Sequence, residues 1–174
     1  MSKDDPGLEA LTSVVNGYRE EYVELSETWR HIDGKAQVTA SISGVFLAAI
    51  FAFIRDIKSV IPSELMRIGM QFTIIILMLS VVFAVLALWI RNVSTAPLGQ
   101  PLDEITKDFL SVPEKERELR VYDFMRDQIE PWPEINQEIH KKNISKARFV
   151  ISSQVSLLVA IIITAILSIL MIRG

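Results

Sequence analysis

Apolar residues fall into two patterns along this chain. The first is three long runs with no ionisable side chain: Ala36 to Ile54, Gln71 to Ile90, and Phe149 to Ile172. As helices they would be roughly 28 to 36 Å long at ~1.5 Å per residue, against a hydrocarbon core of about 30 Å. Charge bounds each run, with Lys35 and Arg55, Arg67 and Arg91, and Arg148 and Arg173 at the ends. A helix buried in a soluble core is rarely apolar around its whole circumference for so long. Three transmembrane helices are expected. The first lies behind an acidic segment, which sets it apart from a signal peptide.

The second pattern is a heptad seam in the N-terminal segment: Leu8, Leu11, Val15, Tyr18, Tyr22, Leu25, Trp29, Ile32. Its steps alternate three and four, the spacing of one helix face that meets another helix. Arg19, Glu20, Glu21, Glu24 and Glu27 keep the other face wet. Two partners fit this seam: the protein's own cytoplasmic helices, or a second copy meeting it along Leu11, Val15, Tyr18, Tyr22, Leu25 and Trp29. The count continues through Ala36, Thr39, Ser43, Phe46, Ile50 and Phe53, so one helix from about Gly7 to Ile54 is expected. Gly34 is its weak point, costing about 1 kcal/mol against alanine.

Pro62 and Ser63 lie in a short outer loop, 55–70, and the Pro- and Gly-bearing stretch after Arg91 reads as a linker. A short helix follows with Ile105 and Phe109 on one face. Ser111 to Glu114 fits a capping box, and the next helix groups Leu119, Tyr122, Met125 and Ile129. The Pro-Trp-Pro at 131–133 breaks it, and a last helix is expected from Glu134 into the third span. The fold class is all-α: an integral membrane protein with a long N-terminal helix (1–35), spans at 36–54, 71–90 and 149–172, and a helical cytoplasmic segment (91–148).

Charge then orients the chain. Arg30, Lys35, Arg91, Lys141, Lys142, Lys146 and Arg148 lie on one side of the spans; Arg55, Lys58, Arg67 and Arg173 lie on the other. By the positive-inside rule the N-terminus is cytoplasmic and the C-terminus outside. The sequons at Asn92 and Asn143 would then stay unused. A net charge of −3 gives no basic field for nucleic acid. Cysteine is absent, which removes thiolate chemistry and disulfides. His31 and His140 stand alone, and no phosphate loop, nucleophile elbow or paired metal ligands occur. No enzyme activity, cofactor or metal is expected.

Candidate functional residues concentrate at the first span's mouth. Asp33 and Lys35 form an interfacial charge pair, and Asp33 is also placed to meet Lys146 or Arg148 at the third span. Ala36, Ala40, Gly44, Ala48 and Ala52 recur every four residues, a small-residue stripe for close helix packing within the chain or between copies. Thr39, Ser43 and Phe46 lie on the heptad seam; if it lines an oligomer axis, they form a polar vestibule above a hydrophobic constriction. Otherwise the hydroxyls bond the preceding turn. Gln154, with Ser152, Ser153 and Ser156, either lines a pore mouth or bonds a neighbouring helix.

The residues Asp33-x-Lys35-Ala36, then Gly44 eight residues on and the run Val45 to Ile50, are similar to the first-span signature of small bacterial anti-phage membrane effectors. The chain resembles the Pycsar-type transmembrane effectors and the related SLATT membrane domains, in layout as well as motif. Ser43 stands where their pattern has Asn, and no cyclic-nucleotide-binding domain is visible. The resemblance implies a homo-oligomer in the inner membrane that impairs it on activation. The trigger would come from a sensor protein or a nucleotide second messenger.

Overall fold

The computed structural model describes residues 6–57, 64–90 and 100–173, and every regular element among them is an α-helix. They are α1 (Pro6–Ile57), α2 (Glu64–Trp89), α3 (Gln100–Ser111), α4 (Glu114–Ile129) and α5 (Trp132–Arg173). Three of them, α1, α2 and α5, contain stretches long and apolar enough to cross a membrane. The outer-loop residues Pro62 and Ser63 and the linker after Arg91 lie outside the described residues, as do the side chains of Ile105 and Leu119. Helix α1 passes through Gly34 without a break. An added Cβ there would meet nothing within 4 Å, so the cost of that glycine is confined to backbone entropy.

The chain divides into two compact units. The first comprises Met1–Trp29 and Asn92–Asn143, the second Arg30–Arg91 and Ile144–Gly174. Helices α1 and α5 contribute to both.

In the first unit, the seam of α1 is half-buried at every position from Leu8 to Trp29. Its partner is α5: the rings of Tyr22 and Trp132 meet edge to face, centroids 5.7 Å apart. Helix α5 thus meets this face of α1 at Tyr18, Tyr22 and Leu25. Phe109 of α3 stacks on Phe124 of α4 at 4.3 Å, which closes the short helical hairpin.

Three local expectations need correcting. No capping box forms, because Ser111 belongs to the end of α3 and its hydroxyl donates to the Asp108 carbonyl. Pro113 is instead the N-cap of α4, its carbonyl accepting from the backbone N–H groups of Glu116 and Arg117. Tyr122 is exposed, and the half-buried face of α4 runs through Val121, Phe124, Met125 and Ile129. Helix α5 starts at Trp132, two residues early, because Pro133 in the first turn lacks only an N–H that has no helical partner there.

The second unit packs α1, α2 and α5 around a narrow interior. Its exposed side chains are mostly large and apolar, such as Val45, Phe72, Leu158 and Ile166. Its buried ones are mostly small: Ala36, Thr39, Ser43, Thr73, Ser80, Ala84, Ala87, Ser153 and Ala160. This inverts a soluble protein and suits lipid, where helices gain from close backbone approach and not from hiding apolar surface. Trp89, at the end of α2 and 78% exposed, is placed as an interfacial aromatic. Three candidate spans suggest a multi-pass membrane protein.

Candidate functional site: a layered polar junction

The buried residues of α5 explain how the site is built. Trp132, Asn136, Ile139, Asn143, Lys146, Val150, Ser153, Leu157 and Ala160 are all buried and follow each other in steps of four and three. This is a heptad face in which four of nine members are polar, so hydrophobicity alone does not reveal it. Each polar member makes a specific contact.

Asn136 and Asn143, one heptad apart, donate their amides to the carbonyls of Tyr18 (3.1 Å) and Leu25 (2.9 Å), one heptad apart on α1. A helical carbonyl keeps a spare lone pair after accepting its own N–H, so neither bond costs α1 anything. The equal spacing fixes α1 and α5 parallel and in register within the first unit. Asn136 also donates to Glu21 at 2.8 Å. The Oδ1 atoms of both asparagines are buried without a hydrogen-bond partner.

In the second unit the contacts form layers. Lys146 Nζ donates to Asp33 Oδ1 at 2.6 Å, joining α5 to α1. The lysine side chain is entirely buried, while the aspartate side chain is 29% exposed. Next comes an apolar layer of Ala36, Ala87 and Val150, flanked by Ile32, Leu88 and Phe149. Of the two partners open to Asp33, Lys146 is the one it meets. Lys35 is exposed.

The third layer is a serine junction. Ser80 Oγ donates to the Ser153 carbonyl (2.9 Å), and Ser153 Oγ donates to the Ser80 carbonyl (2.7 Å), a reciprocal pair between α2 and α5. Ser80 has spent its one proton, so Ser43 of α1 donates to Ser80 Oγ at 2.9 Å. All three side chains are fully buried. Below lie Leu77, Leu157 and Ala160, with Phe46, Leu47 and Ile50 of α1 packed against them.

The remaining sequence-predicted residues are accounted for as follows. Thr39 is buried and its hydroxyl donates to the Lys35 carbonyl one turn back. Ser43 is turned into the interior of one chain, its hydroxyl spent on Ser80. Ala36 is buried and Ala40 half-buried, but Gly44, Ala48 and Ala52 are exposed. A Cβ on Gly44 would meet nothing within 4 Å. The lower stripe therefore faces outward. Gln154 is exposed too, as are His31 and His140. Asn143 of the second sequon is buried on α5, and Asn92 lies outside the described residues. Asn136, Asn143 and Ser80 were missed by sequence reasoning; the heptad step between the asparagines was the available signal.

Among the described residues, no group of His, Asp or Glu is placed to hold a metal ion. What the site offers is mechanical: one buried ion pair and one buried hydroxyl cluster, each joining helices inside an apolar bundle. Comparison with protein-family models, with curated proteins and with solved structures finds no significant match to this chain.

Proposed function

We propose that this chain is a membrane effector of a bacterial antiviral defence system, in which several copies perturb or permeabilise the inner membrane when triggered. The observation that carries this reading is the Asp33–Lys146 pair, with its lysine side chain wholly buried. An ion pair buried where two spans begin costs desolvation and is weak evidence for stability, which favours a role in specifying or switching the helix arrangement. A helix bundle that only held a protein in the bilayer could be built without one. The motif Asp33-x-Lys35-Ala36 and its likeness to anti-phage effectors supply the biological setting. The N-terminus and the helical segment before α5 are then cytoplasmic, where a sensor protein or nucleotide second messenger would act, and the C-terminus is outside. No step of this activity needs catalysis or a cofactor.

A second reading is favoured by the serine junction. All three hydroxyls find their partners inside one chain, in a backbone carbonyl for Ser80 and Ser153 and in the Ser80 hydroxyl for Ser43, which suits a non-conducting anchor or scaffold that recruits a cytoplasmic partner. Bacteria expressing the protein, loaded with a membrane-potential dye and challenged with phage, separate the two. The effector depolarises the membrane after infection and before lysis; the scaffold leaves the potential unchanged throughout. A small constitutive channel subunit would depolarise it without phage.

A further inference from the structure

The bundle of the second unit loosens toward one end. Among the described residues, α1 has no buried side chain after Ser43 and α5 has none after Ala160. There the three helices enclose a cavity of about 270 Å³, between the C-terminal ends of α1 and α5 and the start of α2. That is roughly twice the ~150 Å³ of a dry protein cavity that accepts benzene.

The lining decides what can fill it. Three hydroxyls border the cavity, and each is already bonded to its own helix: Thr73 to the Gly69 carbonyl, Thr164 to that of Ala160, and Ser168 to that of Thr164. Each hydroxyl has spent its proton and keeps only acceptor lone pairs, so the lining gives a water no donor to accept from. The remaining surface comes mainly from Phe46, Ile50, Phe53, Met70, Leu167 and Met171. Long thioether side chains adapt to a flexible apolar occupant. The cavity is partly open and its lining helices are the candidate spans, so a bilayer crossed by them would bring hydrocarbon beside it.

We infer that this cavity is a binding site for one acyl chain of a membrane lipid. A chain lying there touches protein on several sides, where a lipid against an open helix face touches it on one. Dispersion contacts add with their number, so the seated chain is held longer. Helices α2 and α5 also meet beside the site: a Cβ on Gly69 would come within 2.8 Å of Leu167 Cδ2. The inference rests on these helices spanning a bilayer and not on the defence role.

The test uses the full-length protein in lipid nanodiscs containing phosphatidylcholine with a photoreactive diazirine midway along one acyl chain. Cross-links are mapped by mass spectrometry. Labelling at Met70 and Met171 is expected to exceed that at Val45 and Ile162, on open faces, several-fold. Ala49→Phe, which fills the cavity, lowers it to the open-face level while helix content stays the same. Ser168→Leu, which fills it from α5, does the same and serves if the first variant fails to fold. Equal labelling of cavity and open faces overturns the inference, as does enrichment that survives both substitutions. A chain that does not enter the nanodisc overturns the spanning reading as well, whereas absent depolarisation in cells bears on the effector reading alone.

Discussion

Lys146 and Asp33 form an unequal pair: they bond at 2.6 Å, yet only the aspartate side chain retains contact with the surroundings. Removing one partner of a buried pair costs chiefly through the charge left behind. Asp33→Ala takes the carboxylate away from a buried ammonium and is expected to destabilise the protein by about 3 kcal/mol. Lys146→Met leaves a carboxylate that can still be hydrated and should cost clearly less. The double variant should resemble Lys146→Met. Thermal unfolding in detergent, followed by circular dichroism, gives all three values. Equal losses for the two single variants would show that the asymmetry of burial has no energetic weight.

The serine junction makes a second prediction, about size against hydrogen bonding. Ser80→Ala keeps the close approach of α2 to α5 but removes one donor and the acceptor used by Ser43, a loss of roughly 1 kcal/mol. Ser80→Leu loses the same donor and acceptor and also forces the helices apart, so it should be much worse. The same unfolding assay ranks them. Comparable stability for alanine and leucine would mean that the helices do not meet closely at this layer.

Asn136 and Asn143 are expected to set register more than stability. Each leaves a buried Oδ1 without a partner, and exchanging such a group for an apolar one of similar size is nearly neutral. Leucine at both positions should therefore shift stability by less than about 1 kcal/mol per site. It should also broaden the distance distribution between spin labels at Glu20→Cys and Gln137→Cys. The absence of native cysteine makes that double-electron-resonance measurement direct. An unchanged distribution would remove the register role.

Gly44 separates packing within a chain from packing between chains. Its surroundings are open, so Gly44→Leu should leave unfolding temperature and membrane insertion unchanged. If the outward stripe of Gly44, Ala48 and Ala52 joins copies, the substitution lowers the oligomer mass measured by light scattering in detergent. A folded variant with unchanged mass would take that stripe out of the assembly.

Much of the fold was legible because its signals are one-dimensional. Three charge-free runs gave the candidate spans, and unbroken heptad steps from Leu8 to Phe53 gave a single helix through Gly34. The meeting of Asp33 with α5 was also within reach, since opposite charges at two span mouths seek each other. The face of α5 was harder to see. Asn136, Asn143, Lys146 and Ser153 interrupt its apolar seam with residues that bury through a partner's carbonyl, carboxylate or hydroxyl, and such partners lie more than a hundred residues away or on another span. Ser80 was hidden for a related reason: one serine among leucines and valines acquires meaning only when Ser43 and Ser153 arrive beside it. The capping residues of α4 failed locally, because Ser111 found the Asp108 carbonyl at the end of α3 before it could serve the next helix.

If the chain is the effector proposed above, the Asp33–Lys146 contact holds it in its resting arrangement. The most direct measurement is the membrane potential of cells expressing equal, membrane-inserted amounts of the wild-type chain and of Asp33→Ala, without phage, read with a potential-sensitive dye. The account predicts that wild-type cells keep their potential and that Asp33→Ala cells lose it without a trigger. A variant that is inserted, folded and electrically as silent as the wild type would contradict it.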